Sequence, residues 1–371
     1  GCYELSGLPR DFIAKSMIGG RCMLARNTKH KVKARLNDLD ATSLYPSGMK
    51  RMKGFMKGQP KPLIPINTNK QFLDDTDYYF VSVRIIKVNK HLDFPLLRMI
   101  TDEGKKTFTN DMEGQVVYLG KTALEDAIKY QKIEYEIING YYFNDGFNTS
   151  INTIITEIFE RRATLKREGN PAELIFKLLM NASYGKLLQK APDTKTKLMD
   201  DVDNKINVYL SRNHATIKSI SYIDPPKNTK YNFNRKCRID SLTAQSTHHN
   251  KVHLGIVILD ETKRIMSEVM TTAQDENIPI YYQDTDSMML HDDDIPRLEE
   301  VFMNKYGRKL VGKALGEFSS DLKAEDDSDF GKSGNKIKNI YATEGIFVGK
   351  KAYILKVECE DEDGKLWDAG F

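Results

Sequence analysis

Ile278-Pro279-Ile280-Tyr281-Tyr282-Gln283-Asp284-Thr285-Asp286-Ser287-Met288-Met289-Leu290 is the stretch that decides how the rest of the chain is read. Its flanks, IPIYYQ (278–283) and SMML (287–290), are apolar and rich in aromatic and β-branched residues, so they predict two strands joined by an acidic turn. In extended chain, Asp284 and Asp286 stand at i and i+2 and point the same way. Two carboxylates held together resist ionising side by side unless a cation neutralises them. A hard divalent ion with oxygen ligands, such as Mg²⁺, does that. A plain aspartate-rich surface turn is the alternative, but the apolar strands on both sides bury the hairpin and weigh against it.

Working outward, Asp40 opens DATSLYPS (40–47) at the end of a short predicted strand, 34–40. A carboxylate from here, placed beside the hairpin, completes a site for two ions about 3.5–4 Å apart, as used in in-line phosphoryl transfer. The turn that follows offers the backbone N–H groups of Ala41–Leu44, Ser43 and Leu44 among them, to phosphate oxygens. Tyr45 supplies a flat wall beside a bound sugar. A turn with a packed tyrosine is the ordinary alternative.

Two helices are predicted between these motifs. The first runs from about Asn152 to Glu168 with Ser150 as its cap. The second covers about 171–190, with Asn170 at the N-cap, Pro171 at the first helical position and Glu173 completing a capping box. Together they form a helical hairpin. Lys177, Asn181 and Tyr184 are spaced i, i+4, i+7 on one face, and Gly185 permits close approach. Arg162 and Lys166 are spaced i, i+4 on the first helix. With Lys177 they make three cations without nearby acids, a pattern suited to a triphosphate; solvated helix charge is the bland alternative. Near the C-terminus, Lys351 and Tyr353 in KKAY (350–353) share a face of a predicted strand and could meet a nucleic-acid end together.

The remaining sequence sets bounds. A chain of 371 residues exceeds one simple domain and predicts two or three substructures of α+β class. No apolar run reaches the ~18 residues of a membrane span, and no membrane partner is expected. Cys2, Cys22, Cys237 and Cys359 lie far apart with no CxxC pair, which argues against a disulfide framework and fits a reducing, intracellular site. The net charge of +4 is small, but its distribution is uneven: five Lys/Arg and one His fall between Arg26 and Arg35, whereas acids gather at 291–294, 325–329 and 358–363. Such segregation can build a basic track for a polyanion. Strands are expected within 59–120, notably YYFVSVRII (78–86) and QVVYLG (115–120); irregular loops and short strands over 191–250; a helix over 254–274; and a strand pair around 346–358.

Taken in order, four of these motifs resemble those of family B DNA polymerases: DATSLYPS looks like motif A, KLLMNASYG (177–185) like motif B, YQDTDS (282–287) like motif C and KAY (351–353) like the KxY motif. The resemblance spans the polymerase core. It implies a right-hand fold with palm and fingers, and template-directed addition of deoxynucleoside triphosphates to a primer on a DNA template with two Mg²⁺ ions, Mn²⁺ being the substitute. It implies that Asp40 and Asp286 are the metal-binding catalytic carboxylates, with Asp284 beside them. Tyr45 would exclude ribonucleotides, Lys177 and Asn181 would contact the incoming nucleotide, Tyr184 would border the nascent pair, and Lys351 and Tyr353 would hold the primer terminus. Within the family the chain looks most like the protein-primed branch of phages, viruses and linear mitochondrial plasmids, which points to a terminal protein as partner and to an infected cell or an organellar replicon. The 132 residues from Tyr45 to Lys177 and the 99 from Gly185 to Asp284 could hold that branch's two insertions, and IGGR (18–21) resembles its glycine pair, Gly19 and Gly20.

On this basis 1–58 is expected to be palm with motif A, 59–145 an insertion, 146–190 the fingers hairpin, and 191–371 the second palm part with an insertion over about 191–250. Departures are Ala182 in motif B where serine is usual, Met17 where a tyrosine is usual before the glycines, and only a loose ETKR (261–264) from which Arg264 is taken as a template contact. With 39 residues before Asp40 and 18 after Tyr353, the spacing predicts no exonuclease domain and no full thumb, the catalytic middle of a longer enzyme. Two rival functions are a DNA-binding replication fragment without activity and a metal-dependent nuclease; the latter gives no role to Tyr45 or the Lys177 helix. A zinc site at His248, His249 and His253 lacks a cysteine pair nearby.

Overall fold

Alternation of apolar and polar residues along 30–41 builds the strand on which everything else is hung. The computed structural model describes residues 4–64, 69–101, 103–189, 194–226, 233–243, 250–322 and 336–370, so His248, His249 and the acidic run 325–329 lie outside the described residues. Two compact units emerge: Gly1–Gly185 together with Lys251–Phe371, and Lys186–Asn250.

In the first unit, an eight-stranded antiparallel sheet runs in the order Cys22–Leu24, Ile280–Asp284, Ser287–His291, His30–Ala41, Ile337–Gly349, Ala352–Asp361 and Leu366–Gly370, with Phe318–Ser320 also pairing the central strand His30–Ala41. The central strand is longer than expected because both of its halves are buried, on opposite faces. Val32 and Leu36 join Tyr282, Met289 and Phe347 in one core. Leu39 and Ala41 join Ile265, Met266, Val269 and Met288 in another. With a period of two, Asp38 and Asp40 are turned away from this second core.

That second core is backed by the long helix Val252–Asp275, most of which is buried. Its hydroxyls bond back to its own carbonyls: Thr262 to Leu259 (2.7 Å), Thr271 to Ser267 (2.6 Å) and Thr272 to Glu268 (2.7 Å), which satisfies polar groups that burial would otherwise leave orphaned. Helices Leu44–Arg51, Lys121–Gln131 and Ile295–Tyr306 pack on it.

Within 59–145, a four-stranded sheet in the order Lys61–Leu63, Ile133–Phe143, Tyr78–Val88, Val116–Gly120 carries the helix Lys121–Gln131 and has its own core of Val81, Val83, Ile85, Leu119, Leu124 and Ala127. The helical hairpin consists of Ser150–Arg167 and Glu173–Leu188. Its caps differ from those expected. Ser150 is already helical and its N–H is held by Asn148 Oδ1 (3.1 Å). Asn170 Oδ1 does accept from Ala172 N–H (3.0 Å), but the Glu173 carboxylate turns to Arg162 instead of closing a capping box.

In the second unit the short strands expected over 191–250 are present and join into one sheet, with a helix that was not expected. Strands Thr194–Asp200, Lys236–Leu242 and Ile217–Ile223 form an antiparallel sheet in that order, beside the helix Lys205–Asn213, over a small core of Ile206, Cys237 and Ile239. A sheet this small leaves most side chains solvated, so its composition looks like loop.

Candidate active site

Asp284 ends one strand of the acidic hairpin and pairs with Ser287, leaving Thr285 and Asp286 as a two-residue turn. Asp286 is therefore not in extended chain, as the i, i+2 spacing suggested. Thr285 takes a left-handed φ of 59°, costly for a β-branched residue, and Asp286 N–H closes on Asp284 C=O at 2.7 Å. The central strand is locked to this turn. Ser287 lies opposite Asp40, and Ala41 N–H donates to Asp286 C=O at 2.8 Å. The carboxylate-bearing ends of two segments far apart in sequence thus meet at one sheet edge.

Two more acids join them that the sequence had not singled out, Asp38 and Asp321. Asp321 N–H donates to Asp38 C=O at 2.8 Å. Burial, followed by the nearby charge of Asp321, pushes the Asp38 carboxyl up to about 7, with Asp286 and Asp284 adding to the effect and the Ser287 hydroxyl opposing it. Asp38 Oδ1 is buried with no hydrogen-bond partner. Burial also raises Asp286, again helped by Asp284 and Asp321. A surplus of carboxylates and an orphaned oxygen are the chemistry that a hard cation satisfies. Among the described residues, however, no three such side chains are already gathered around one point.

Lys351 is not on a strand. Gly349 pairs with Ala352, so Lys350 and Lys351 form a second two-residue turn, with Lys351 at φ 55°. Its Nζ donates to Asp284 Oδ2 at 2.7 Å and its backbone N–H to the Tyr282 hydroxyl at 2.9 Å. The bond and charge of Asp284 raise the Lys351 pKa. Tyr353 is 41% exposed, its ring 5.2 Å from that of the buried Tyr282.

On the other side of Asp40, Ala41 and Thr42 spend their N–H groups on Asp286 and Glu317, so the expected cradle over Ala41–Leu44 shrinks to Ser43 and Leu44, where the helix Leu44–Arg51 begins. Ser43, at φ 48°, turns the chain so that Tyr45 stacks flat on Tyr184 of the helical hairpin, with centroids 3.7 Å apart and planes within 6°. Burial, then the Tyr184 hydroxyl, raises the Tyr45 phenol above its ordinary range. Lys177 and Asn181 lie exposed on the Tyr184 helix, and a Cβ added to Gly185 would meet nothing within 4 Å.

With this geometry in place, comparison with known proteins is decisive. Residues 3–276 match the family described as DNA polymerase type B, organellar and viral. The chain belongs to that family. Its fold is that of phi29 DNA polymerase: TM-score 0.64 to an orthorhombic crystal form at 16% identity, covering 98% of this chain and 53% of that one. The ternary complex of phi29 polymerase with primer-template DNA and incoming nucleotides gives 0.60 at 16% identity, covering 99% and 53%. The chain thus spans about half the length of those polymerases. A stretch of 152 residues, 39% of this chain, is 26% identical to an uncharacterized protein, 075R, of Invertebrate iridescent virus 3, of which it covers 81%.

Not every sequence-predicted residue of this type B polymerase chain reaches the acidic edge. Arg162 is paired with Glu173 (3.0 Å), so three cations without a neighbouring acid is not what forms; Lys166 and Lys177 remain exposed. Arg264 faces inward. It bonds Asp126 (2.8 Å) and Glu125 (2.9 Å) and lies 3.7 Å from Glu261, tying the long helix to the 59–145 segment, so the expected template contact would compete with three acids. His253 is buried without a polar partner, stacked on Phe143, and burial lowers its pKa to about 3. Gly19 has open space around it, whereas a Cβ on Gly20 would fall 2.5 Å from Thr285 Cγ2. Asp38 could have been found from its i−2 spacing to Asp40; Asp321 carried no comparable signal.

Proposed function

We propose that the chain is the catalytic core of a template-directed DNA polymerase, adding deoxynucleotides to a primer 3′-hydroxyl or, at protein-primed initiation, to a hydroxyl of a terminal protein. The hydroxyl oxygen attacks the α-phosphorus, the new P–O bond forms as the bond to pyrophosphate breaks, and the hydroxyl proton leaves. The observation that carries this is the register lock between the two acidic segments, Ser287 opposite Asp40 and Ala41 N–H on Asp286 C=O. It aligns carboxylates from both segments at one edge, within a family B polymerase fold.

Asp40 and Asp286, with Asp284 beside them, are the residues that would hold two Mg²⁺ ions. Such ions, or Mn²⁺ in their place, lower the pKa of the attacking hydroxyl and steady the leaving pyrophosphate. Tyr45 and Tyr184 wall the sugar, the Ser43 and Leu44 N–H groups and Lys177 meet phosphate oxygens, Asn181 orients the nucleotide, and Lys166 adds positive charge nearby. Gly19 leaves room for a DNA backbone, and Lys351 and Tyr353 sit where the primer terminus would lie. In this reading the large sheet is palm, the hairpin Ser150–Leu188 is fingers, and the sheets within 59–145 and 194–242 are the two insertions.

Primer extension with wild-type and Asp286→Ala chains tests it: incorporation in the first and none in the second is expected. Undiminished incorporation by Asp286→Ala would refute the mechanism. Primer-template binding without turnover in the wild type would favour a binding module, and nucleotide release without added triphosphates a nuclease.

A further inference from the structure

Arg21, the residue after the glycine pair, is only 2% exposed. Its Nε donates to Gln283 Oε1 at 2.6 Å, and its Nη1 to the carbonyls of Phe94 (3.2 Å) and Pro95 (3.1 Å). Its Nη2 reaches Ser267 Oγ at 3.4 Å on the long helix. Among the described residues every acceptor is neutral, and burial lowers the pKa of the guanidinium to about 10. Burying a cation against neutral oxygens is expensive; apolar packing of similar volume would hold segments together more cheaply. What a planar guanidinium adds is direction, several donors fixed at set angles.

One of those directions, and the main chain beside it, meet at the acidic turn. Arg21 C=O accepts from Thr285 N–H at 2.9 Å, and the next residue, Cys22, pairs in register with Asp284. We propose that Arg21 is a positioning residue for the acidic turn: its side chain holds Gln283 and its main chain holds Thr285, so one amino acid fixes the residues on both sides of Asp284. Through Phe94 and Pro95 the same side chain couples the turn to the 59–145 segment, so displacement of that segment would be felt at Asp284. The inference rests on the polymerase reading for its consequence in rate, though not for the clamp itself.

The test uses Gln283→Leu and Gln283→Glu in the full chain, with Arg21→Met as a second route. Gln283→Leu keeps strand volume but removes the acceptor, and Gln283→Glu keeps an acceptor. Single-turnover incorporation in Gln283→Leu is expected to fall about tenfold or more with primer-template affinity unchanged, and to be largely retained in Gln283→Glu. Amide exchange at Thr285 should be faster by about tenfold in Gln283→Leu and near the wild-type rate in Gln283→Glu. Rates and exchange within twofold of the wild type in Gln283→Leu overturn the proposal. So does a Gln283→Leu chain that does not fold, since Arg21 would then serve stability alone. If Arg21→Met does not fold, the Gln283 pair decides. A wild-type chain that incorporates nothing refutes the polymerase reading, and the exchange measurement then decides the clamp on its own.

Discussion

Two hairpins carry the candidate chemistry, and the chain treats them in opposite ways. The acidic β-hairpin is pinned from every side: Gly20 lies under Thr285, Arg21 grips Gln283, Ala41 bonds Asp286, and Lys351 caps both Tyr282 and Asp284. Among the described residues, the helical hairpin is held to the large sheet's helices at its base. There Asn152 Nδ2 donates to the carbonyls of Met49 (3.0 Å), Lys50 (3.1 Å) and Met52 (2.7 Å) at the end of the helix Leu44–Arg51, and Tyr184 stacks on Tyr45. Beyond that, Lys177, Asn181, Leu174, Ile175, Leu178 and Leu179 are at the surface. On the polymerase reading, the structure over-determines the backbone where reacting atoms would be aligned. Where the same reading has a nucleotide gathered in, the structure leaves side chains with few neighbours and room to reach.

The sharpest way to break that contrast is Gly20→Ala. The new methyl would sit 2.5 Å from Thr285 Cγ2, so the turn must shift. Incorporation should drop by about a hundredfold, the scale of a misplacement near 1 Å. Adding Thr285→Gly, which removes the opposing methyl, should recover much of it. Single-turnover rates for the pair decide, and a fully active Gly20→Ala would show that the turn is not pinned at this point.

A smaller effect is expected at Glu268 on the long helix behind the pinned side. Its carboxylate takes bonds from Arg51 (2.6 Å) and Arg308; burial alone would raise its pKa, but these two partners outweigh burial and lower it. A depressed folded pKa gives stability that is present above the unfolded value of about 4.3 and is lost as pH falls below that through the folded value. Glu268→Gln should therefore destabilise by about 1–3 kcal/mol at pH 7, and the gap to wild type should shrink as the pH drops below about 4. Thermal melts across that range check it, and a pH-independent gap would discount the ionic part.

Least is expected from the exposed hairpin. Lys177→Ala should weaken nucleotide affinity only several-fold, since a solvated charge contributes about 1 kcal/mol or less, and should leave the rate at saturating nucleotide nearly unchanged. A loss comparable to that of Gly20→Ala would mean that the helical hairpin is as tightly determined as the acidic one.

What could be read from the sequence follows the same division. Asp40, Asp284 and Asp286 were legible because strand periodicity and a polar break between apolar runs are local signals. The family likewise showed in four motifs read in a fixed order along the chain. Arg21 gave no local sign: its partner is 262 residues away, and a buried arginine looks like any other in a string. The Arg162–Glu173 pair was hidden for a related reason, since a glutamate three residues past an asparagine fits a cap equally well. A strand pair around 346–358 was expected, but its turn was not placed at Lys350–Lys351, because a lysine at positive φ is disfavoured and no Asn-Gly marks the spot. The short strands of 194–242 were expected, but not their joining into one sheet nor the helix Lys205–Asn213, because so small a unit buries too few residues to leave a clear pattern.

The central strand has a consequence for how the molecule comes to be. Its neighbours in the sheet come from residues 287–291, 318–320 and 337–349, and the acidic turn is closed by Arg21 on one side and Lys351 on the other. Loop-closure entropy has to be overcome before contacts of such separation give anything back, and chains rich in them fold slowly. Asp38 and Asp40 acquire their neighbours only from Ser287, Ser319 and Asp321, and Asp284 its lysine only from residue 351. The acidic edge is therefore among the last parts of the large sheet to be completed, and until then its apolar strands wait with open edges.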